Sequence, residues 1–477
     1  MRIRMSNQWS AWLGALAVVG MLGIAGCAED QPVTAPDFAR GGGGGPRVNA
    51  TDPDSAPQDT TLDVHVYGSG YDNGSRVRFA LHGDTLTPNI RTNSTRFVSK
   101  SELVANITVA VDAVTDLYDV IVTTSRGKPG IGTEMFTVTI KPEYLGTLGG
   151  PYGATASRLN NLGHVVGVSD IAGGELRAFF WSESDSMENL GTLPGYNGSW
   201  AEGINDLDQV VGEATCGIYV SGPTCTGLPS RAVLWERLGG GWTAQALPVD
   251  VDSYAKAYDI NERGTIIGEV RPQTICADIP IRAVTWVVQN SSVTAPQDLP
   301  VLPGAFHSGA YAINDAGLAV GSSGSCSEWE AILWVPDSSG VPSTMVRLGQ
   351  LPGGSNSRAA DIGEVIAGRV YVAGMARDAS GNARAIRWTV QRGAESQWQV
   401  LTMELLPGPS GDGDARGVNS SGTAVGYVSS PRRLAVWPLG GSVEYLPGPG
   451  AGYAGDSAYD VNDMEWVISA AYLWRGH

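Results

Sequence analysis

Short runs of alternating apolar and polar residues extend over most of this chain after its first fifty residues. Leu62, Val64 and Val66 alternate with polar residues, and a glycine-rich turn follows at 68–74. Runs of this length and period predict β-strands that bury one face. About seven such runs lie between 55 and 140. They predict a small β-sandwich in that segment.

A longer pattern repeats from about 144 to the last residue. A tripeptide of small and apolar residues ending in tryptophan recurs seven times, mostly about fifty residues apart, at Trp181, Trp235, Trp286, Trp334, Trp388, Trp437 and Trp474. Each copy also has an alanine three residues before an apolar position that is usually followed by Asn: Ala156, Ala201, Ala257, Ala310, Ala359, Ala415 and Ala458. Four strand-like runs in each copy predict the blades of a β-propeller. Because the tryptophans recur at one place in every unit, we interpret them as core residues rather than as sugar contacts.

The two ends of the repeat determine the number of units. The seventh copy stops three residues after Trp474 and lacks a fourth strand, whereas 144–148 has the pattern of a fourth strand with no copy before it. Pairing these two segments closes a ring of seven blades and hides the edges that an open array exposes. We therefore expect an all-β chain in which 144–477 is a seven-bladed propeller closed by 144–148. An open solenoid is the alternative.

The first residues have the pattern of an export signal. Arg2 and Arg4 precede an apolar run at 11–24, which is short for a membrane span. The run ends in Ile24-Ala25-Gly26-Cys27, which resembles the lipobox of bacterial lipoproteins. The resemblance implies a signal peptide at 1–26, a lipid on the Cys27 thiol and an acylated amino terminus, and several acyl chains hold a protein stably on a bilayer. We expect an exported, lipid-anchored protein of the outer membrane, with the side of the membrane left open, and a Gly/Pro-rich linker at 27–54.

Two further segments resemble known families. Residues 66–71, 101–103 and 118–120 are similar to an IPT/TIG domain, an immunoglobulin-like module, which implies that 55–140 is a spacer or stalk. Residues 177–181, 160–163 and 190–193 are similar to HAF repeats of extracellular bacterial proteins, and this resemblance covers nearly all of 144–477. That family contributes no established chemistry. Arginine stands at the family's histidine position in five units, namely Arg177, Arg231, Arg282, Arg384 and Arg433, either as a ring around an anion or in pairs with Asp259, Asp361 or Asp460.

Charge excludes one class of partner. The chain has 31 basic and 48 acidic residues, a formal net charge of −17, and only four lysines. A protein that is this acidic is not expected to bind nucleic acid.

Five cysteines are present, and four follow Cys27. In an exported protein these four favour disulfides, and we predict Cys216–Cys225 within one loop and Cys276–Cys326 between neighbouring units. A metal site is the alternative, but no histidine stands near and no CxxC spacing occurs, so no metal ligands and no cofactor are predicted.

Non-repeating aromatic residues mark the candidate ligand site. We place them in blade-to-blade loops on one face of the ring: Tyr152, Tyr196, Trp200, Tyr254, Phe306, His307 and Tyr453. Such residues over glycine-rich loops stack on sugar rings or grip a peptide, or else pack against neighbouring loops. Carboxylates near this face are candidates for an acid–base pair, although no catalytic motif is present: Glu202, Asp250, Asp252, Asp412 and Asp414. Asp412 and Asp414 also have the spacing of a calcium turn.

These patterns favour a non-enzymatic lipoprotein with an immunoglobulin-like stalk and a propeller that binds a glycan, a peptide or another surface protein. No catalytic residue is assigned. The alternative is a carbohydrate-active propeller enzyme, a glycosidase or lyase, with carboxylates at the channel mouth.

Overall fold

A computed structural model of the chain describes residues 45–82, 89–216, 228–249, 253–272, 280–289, 292–325, 327–393, 397–408, 412–429, 432–447 and 457–475. Within these ranges the regular structure consists of strands and contains no helix. The prediction of an all-β chain is therefore confirmed. The described part of the chain also holds no helix that is long and apolar enough to cross a membrane.

Two four-stranded sheets form the first folded segment. Their strands are β1 Arg47–Asp52, β2 Ser55–Pro57, β3 Thr60–Ser69, β4 Arg76–Leu81, β5 Ile90–Ser99, β6 Glu102–Val109, β7 Leu117–Thr123 and β8 Pro129–Thr139. One sheet has the order β1-β3-β6-β5 and the other β2-β8-β7-β4. Alternate residues of both sheets, such as Val64, Ile107 and Phe136, meet in one buried core. The prediction of a linker up to residue 54 is wrong at its end, because β1 already belongs to a sheet.

The repeat folds into seven further sheets. Its strands are β9 Glu143–Tyr144, β10 Gly149–Leu159, β11 Val165–Ile171, β12 Leu176–Ser182, β13 Ser186–Gly191, β14 Gly198–Ile204, β15 Val210–Thr215, β16 Arg231–Leu238, β17 Gly241–Ala246, β18 Ser253–Ile260, β19 Thr265–Pro272, β20 Arg282–Gln289, β21 Ser292–Val293, β22 Gln297–Asp298, β23 His307–Ile313, β24 Ala319–Gly324, β25 Trp329–Pro336, β26 Pro342–Gly349, β27 Ser357–Ile362, β28 Arg369–Arg377, β29 Ala383–Arg392, β30 Trp398–Leu405, β31 Gly413–Val418, β32 Ala424–Val428, β33 Arg433–Trp437, β34 Glu444–Tyr445, β35 Asp460–Val461, β36 Trp466–Ser469 and β37 Tyr472–Arg475. Sheets one to six each pair consecutive strands in chain order, starting from β10, β14, β18, β23, β27 and β31. In sheet three the short strands β21 and β22 both pair with β20.

The seventh sheet combines strands from both ends of the repeat, in the order β35-β36-β37-β9. Tyr144 pairs with Tyr472 and Glu143 with Leu473, and the Leu145 N–H donates to the Ala471 carbonyl. The pairing strand is thus 143–144 and not the predicted 144–148.

The first strands of the seven sheets are called here the inner strands: β10, β14, β18, β23, β27, β31 and β35. Each contacts the next in chain order, and β35 also contacts β10. The repeated alanines lie on or beside these strands and are at most 1% exposed. In six sheets a glycine of the second strand faces this alanine at a β-bulge, as Gly212 faces Ala201. A Cβ on Gly212 would lie 2.0 Å from the Trp200 carbonyl oxygen, so the close approach of the two strands requires glycine there.

A ladder of asparagine side chains links the ends of the inner strands. Each amide donates to a backbone carbonyl of the next unit at 2.9–3.1 Å, from Asn160, Asn205, Asn261, Asn314, Asn419 and Asn462. The last of these bonds returns from Asn462 to Asn160 and joins the seventh unit to the first. Gly363 takes the place of asparagine in unit five. The boundary that follows is bridged by the buried Arg387, which donates to the carbonyls of Gly422 and Trp437 at 2.7 and 2.9 Å.

Candidate functional site

The residue after the repeated alanine is partly exposed in all seven units, and the residue before it is partly exposed in units one, two, three and five. The residues just before and after that alanine share the opposite side of the strand, because side chains alternate along a strand. In sheet two these are Trp200 and Glu202, in sheet three Lys256 and Tyr258. Ion pairs between neighbouring sheets show that these side chains face one another. We refer to these flanking positions, together with the second-strand side chains that contact them, as the inner-strand site.

One wall of the inner-strand site is a lysine held between two carboxylates. Lys256 Nζ lies 2.6 Å from Glu202 Oε1 and 3.4 Å from Glu213 Oε1, and 5.0 Å from the centre of the Tyr258 ring. Burial raises the pKa of Glu202 despite the nearby ammonium. Burial alone would lower the pKa of Lys256, but the attraction of Glu202 and Glu213 outweighs it and leaves that pKa raised. The three side chains therefore form one network of charged groups across sheets two and three.

Two tyrosines continue this wall into sheet four. The rings of Tyr258 and Tyr311 meet edge to face with their centres 5.4 Å apart. Burial raises the pKa of both hydroxyls, and the negative charge of Glu269 adds to the effect. Both phenols are therefore neutral hydrogen-bonding groups on apolar rings.

The opposite wall carries arginines. Arg358 Nη2 lies 3.0 Å from Asp414 Oδ2, and Arg416 Nε lies 3.5 Å from the same oxygen. The Arg416 guanidinium also lies over the rings of Tyr427 and Tyr459, at 5.4 and 5.2 Å from their centres. This wall thus combines cationic groups with aromatic faces.

A buried charge cluster lies on the inner strands, two residues after the repeated alanines. Arg158 Nη1 lies 2.9 Å from Asp361 Oδ1 and 3.6 Å from Asp460 Oδ1, and Nη2 lies 3.5 Å from Asp259 Oδ2. Burial raises the pKa of Asp259 to about 6 and also raises that of Asp460, in both cases against the opposing effect of Arg158. The proposed pairing of these aspartates with the repeated arginines is therefore wrong. Arg282 instead pairs with Asp298, and Arg384 with Asp378.

The three aspartates of this cluster also join neighbouring units. Each accepts a backbone N–H of the next inner strand, with β10 following β35: Asp259 from Ile313, Asp361 from Val418 and Asp460 from Leu159, over 2.7–3.0 Å. Small residues occupy the same position in the sheets between them, namely Gly203, Ala312 and Gly417. A Cβ on Gly203 would lie 2.9 Å from Asp259 Oδ1, so only alternate sheets have room for an aspartate. This cluster was not predicted from the sequence, although the residue two positions after each repeated alanine shows the alternation directly.

A cavity of about 130 Å³ lies beyond the charge cluster, among the turns that follow the inner strands. Five carboxylates stand at its rim: Asp206, Glu262, Asp315, Glu364 and Asp463. Each accepts a backbone N–H from the preceding unit, and four of the donors are Asn161, Asp206, Glu262 and Asp315. Burial raises the pKa of Glu364 to about 7. Because every one of these carboxylates holds a backbone donor, we assign this rim to the closure of the ring.

The predicted aromatic residues fall into two groups. Trp200, Tyr254 and His307 lie within inner strands rather than in the predicted blade-to-blade loops, and all three are partly exposed. The Tyr254 ring carries the Arg271 guanidinium at 5.2 Å, and His307 Nδ1 accepts the Ile281 N–H at 3.1 Å. These three residues therefore stand at the same end of the strands as the two walls.

The other predicted aromatics have different surroundings. Tyr152 is on β10 and 86% exposed, and the Phe306 ring lies tilted against that of His307 with the ring centres 4.7 Å apart. Tyr196 packs against a hydrophobic core and donates its hydroxyl to the Pro229 carbonyl at 3.0 Å, so its role is structural. Tyr453 lies outside the described residues.

The described carboxylate candidates, Glu202, Asp412 and Asp414, do not form a matched pair. Glu202 pairs with Lys256 and Asp414 with arginines, and Asp412 is exposed beside β31. Asp250 and Asp252 lie outside the described residues. Across the described ranges, no group of three or more Cys, His, Asp or Glu side chains is arranged to hold a metal ion.

Cys216 is disulfide-bonded. Cys27, Cys225, Cys276 and Cys326 lie outside the described residues, so both predicted pairings and the lipidation of Cys27 stay predictions.

Comparisons with known proteins add little. No protein-family model and no curated protein matches the chain. One solved structure with some similarity is a mutant of the Aleuria aurantia lectin AAL in complex with Fucalpha1-6GlcNAc. It is 11% identical, and the match covers 64% of this chain and 99% of the lectin with a TM-score of 0.32. A similarity of that size carries no argument about ligand or fold, so the proposals below rest on the geometry of this chain.

Proposed function

We propose that this protein is an exported, lipid-anchored binding protein. In this proposal the seven repeat sheets are the blades of a β-propeller of the HAF type, which β9 closes. The two sheets of 47–139 form an immunoglobulin-like stalk similar to IPT/TIG domains, and lipid on Cys27 holds the chain on the outer membrane. The unbroken series of contacts among the inner strands, including β35 to β10, supports the closed ring.

We infer that the ligand is a carbohydrate and that it binds at the inner-strand site. The observation that carries this is the set of partly exposed aromatic rings interleaved with charged groups at one end of the inner strands. Sugar rings have apolar faces that stack on aromatic side chains and hydroxyls that bond to charged and polar groups. Tyr258 and Tyr311 offer rings with neutral hydroxyls, and Lys256 lies directly beside them.

A glycan array probed with the full chain tests this proposal. We expect binding to be lost when Trp200 and Tyr254 are both changed to Ala, because both rings stand at this end of the inner strands. The matched control changes Trp398 and Tyr445 to Ala. These two aromatics lie on β30 and β34, the fourth strands of their sheets, and the control should bind as the unchanged protein does. Wild-type binding by the Trp200/Tyr254 variant would overturn the assignment of the site.

One observation favours the second candidate, a carbohydrate-active enzyme. Glu202 and Glu213 both approach Lys256 Nζ, and burial raises the pKa of Glu202, as is required of a general acid. Incubation of the same glycans with the protein, with Glu202→Gln as the comparison, decides between the two. Products that form with the unchanged chain and not with the variant would establish the enzyme and replace the binding proposal.

A further inference from the structure

The two walls of the inner-strand site carry different charges. On the wall of sheets two and three, Lys256 is matched by Glu202 and Glu213, and Glu269 adds a third carboxylate near Arg271 and Tyr258. On the wall of sheets five and six, Arg358 and Arg416 share Asp414, and Arg432 lies over Tyr427 with no ion pair among the described residues. In a chain with a net charge of −17, this cluster is a local excess of positive charge.

From this asymmetry we propose that the sugar bound at the site is acidic, and that its carboxylate is held by Arg358 and Arg416. The proposal rests on the carbohydrate-binding function proposed above and specifies the class of ligand. The Arg358 and Arg416 side chains are 40% and 30% exposed, so both are accessible to a ligand from solvent.

The hydrogen bonds of the arginine wall are incomplete. Asp414 Oδ2 serves both guanidinium groups, while its other oxygen, Oδ1, is buried and has no partner among the described residues. Arg358 Nε is likewise buried without an acceptor there. Asp414 is only 5% exposed, so an unpaired carboxylate oxygen costs free energy unless a donor reaches it.

Stacking orients the remaining arginine groups. The Arg416 guanidinium lies over Tyr459 and Tyr427, and that of Arg432 lies over Tyr427 at 4.2 Å from the ring centre. A stacked guanidinium keeps its edge N–H groups available, and that edge matches the two oxygens of a carboxylate. The tyrosine rings also hold the guanidinium groups in place, which lowers the entropy lost on binding.

The opposite wall limits where the acid can lie. Glu202, Glu213 and Glu269 repel a second anionic group, because like charges that face each other in a binding site disfavour binding. The site therefore fits a ligand with one acidic sugar at the arginine wall and neutral sugars toward sheets two and three. A polyanion that spans both walls is disfavoured.

Isothermal titration of the full chain with matched sugar pairs tests this proposal. Each carboxylated oligosaccharide of a panel is compared with its methyl ester, which keeps the sugar and removes the charge. We expect the acid to bind at least about tenfold more tightly than the ester, since charge-assisted hydrogen bonds are the interaction removed. Arg416→Gln and Arg358→Gln should each abolish this preference, and Arg416→Lys should keep only part of it.

Arg347→Gln is the matched control, because Arg347 is 62% exposed on β26, outside the site, and should leave the preference intact. Melting curves identify any variant that fails to fold. The comparison of acid with ester uses the unchanged protein, so it tests the proposal even if a variant does not fold. Equal binding of acid and ester, or equal weakening of both by Arg416→Gln, would overturn the acidic-sugar proposal while leaving carbohydrate binding in place. A sulfated sugar that binds more tightly than its carboxylated counterpart would also overturn it. Binding of no sugar in the panel would remove both proposals together.

Discussion

At the scale of single residues, the recurring tryptophans are all buried, but they do not all make the same hydrogen bond. All seven are at most 5% exposed. Trp286, Trp334 and Trp437 donate Nε1–H to a proline carbonyl of the preceding unit, at Pro248, Pro300 and Pro407, over 2.7–2.8 Å. Among the described residues, Nε1 of Trp235, Trp388 and Trp474 has no partner. The units before Trp235 and Trp388 have Leu-Gly in place of Leu-Pro, and the carbonyls of Gly191 and Gly349 accept a serine hydroxyl, each at 2.7 Å. The unit before Trp474 has Leu446-Pro447, so the proline alone does not determine the bond.

This difference predicts unequal costs for the same substitution. Trp286→Phe should destabilise the protein by about 1 kcal/mol more than Trp235→Phe, because only the first removes a hydrogen bond, the one to the Pro248 carbonyl. Both variants lose a similar volume, so each serves as the control for the other. Melting temperatures of the two purified variants measure the difference. Equal shifts would show that the proline carbonyl contributes nothing to stability.

At the scale of elements, the inner strands combine a repeated backbone with side chains that do not repeat. The bulge, the alanine and the facing glycine recur, so neighbouring strands approach in the same way at nearly every boundary. The position after the bulge alternates between aspartate and a small residue around Arg158. Burial makes this cluster sensitive to pH, because Asp259 has its pKa raised from 3.8 to about 6.

The folded state binds a proton on Asp259 more tightly than the unfolded state does, and this sets the direction in which stability changes with pH. Between pH 4 and 6 the folded state holds a proton on Asp259 that the unfolded state has released, so this group's contribution to stability is full below pH 4 and is lost as pH rises through 6. The loss is on the order of 3 kcal/mol. Asp259→Asn cannot titrate, so the melting temperature of the unchanged protein should fall relative to that of this variant over the interval. Asp298→Asn, which removes a half-exposed partner of Arg282, is the control and should run parallel to the unchanged protein. Parallel curves for Asp259→Asn would contradict the raised pKa.

At the scale of the whole molecule, the sequence predicts the strands and core residues of each single unit. It does not predict contacts between side chains of units that are far apart in the chain. The recurring tryptophans and alanines predicted an all-β chain correctly, because each marks a packing position within one unit or against the next unit. The Arg158 cluster was missed because it joins Arg158 to aspartates 101, 203 and 302 residues later, and proximity around a ring has no local signal. The strand positions of Trp200 and Tyr254 were missed for a simpler reason. The inner strands begin several residues before the apolar pattern that marks their core.

Closure of the ring is the property of the whole molecule that a deletion tests most directly. Arg475 Nη2 lies 2.7 Å from Glu143, Nη1 lies 3.0 Å from Glu183, and Leu145 is buried beside the seventh sheet, so residues 143–145 hold the last unit against the first. A chain that begins at residue 149 lacks the contacts of Glu143 and Leu145, keeps the Arg475–Glu183 ion pair, and leaves β37 as an exposed edge. A chain that begins at 141 lacks the same N-terminal sheets but keeps β9. We expect the chain from 149 to melt at a clearly lower temperature and to associate through its free edge, as size-exclusion chromatography would show. Equal melting temperatures and a monomeric chain from 149 would mean that the other links around the ring suffice, and that β9 adds a strand without closing the structure.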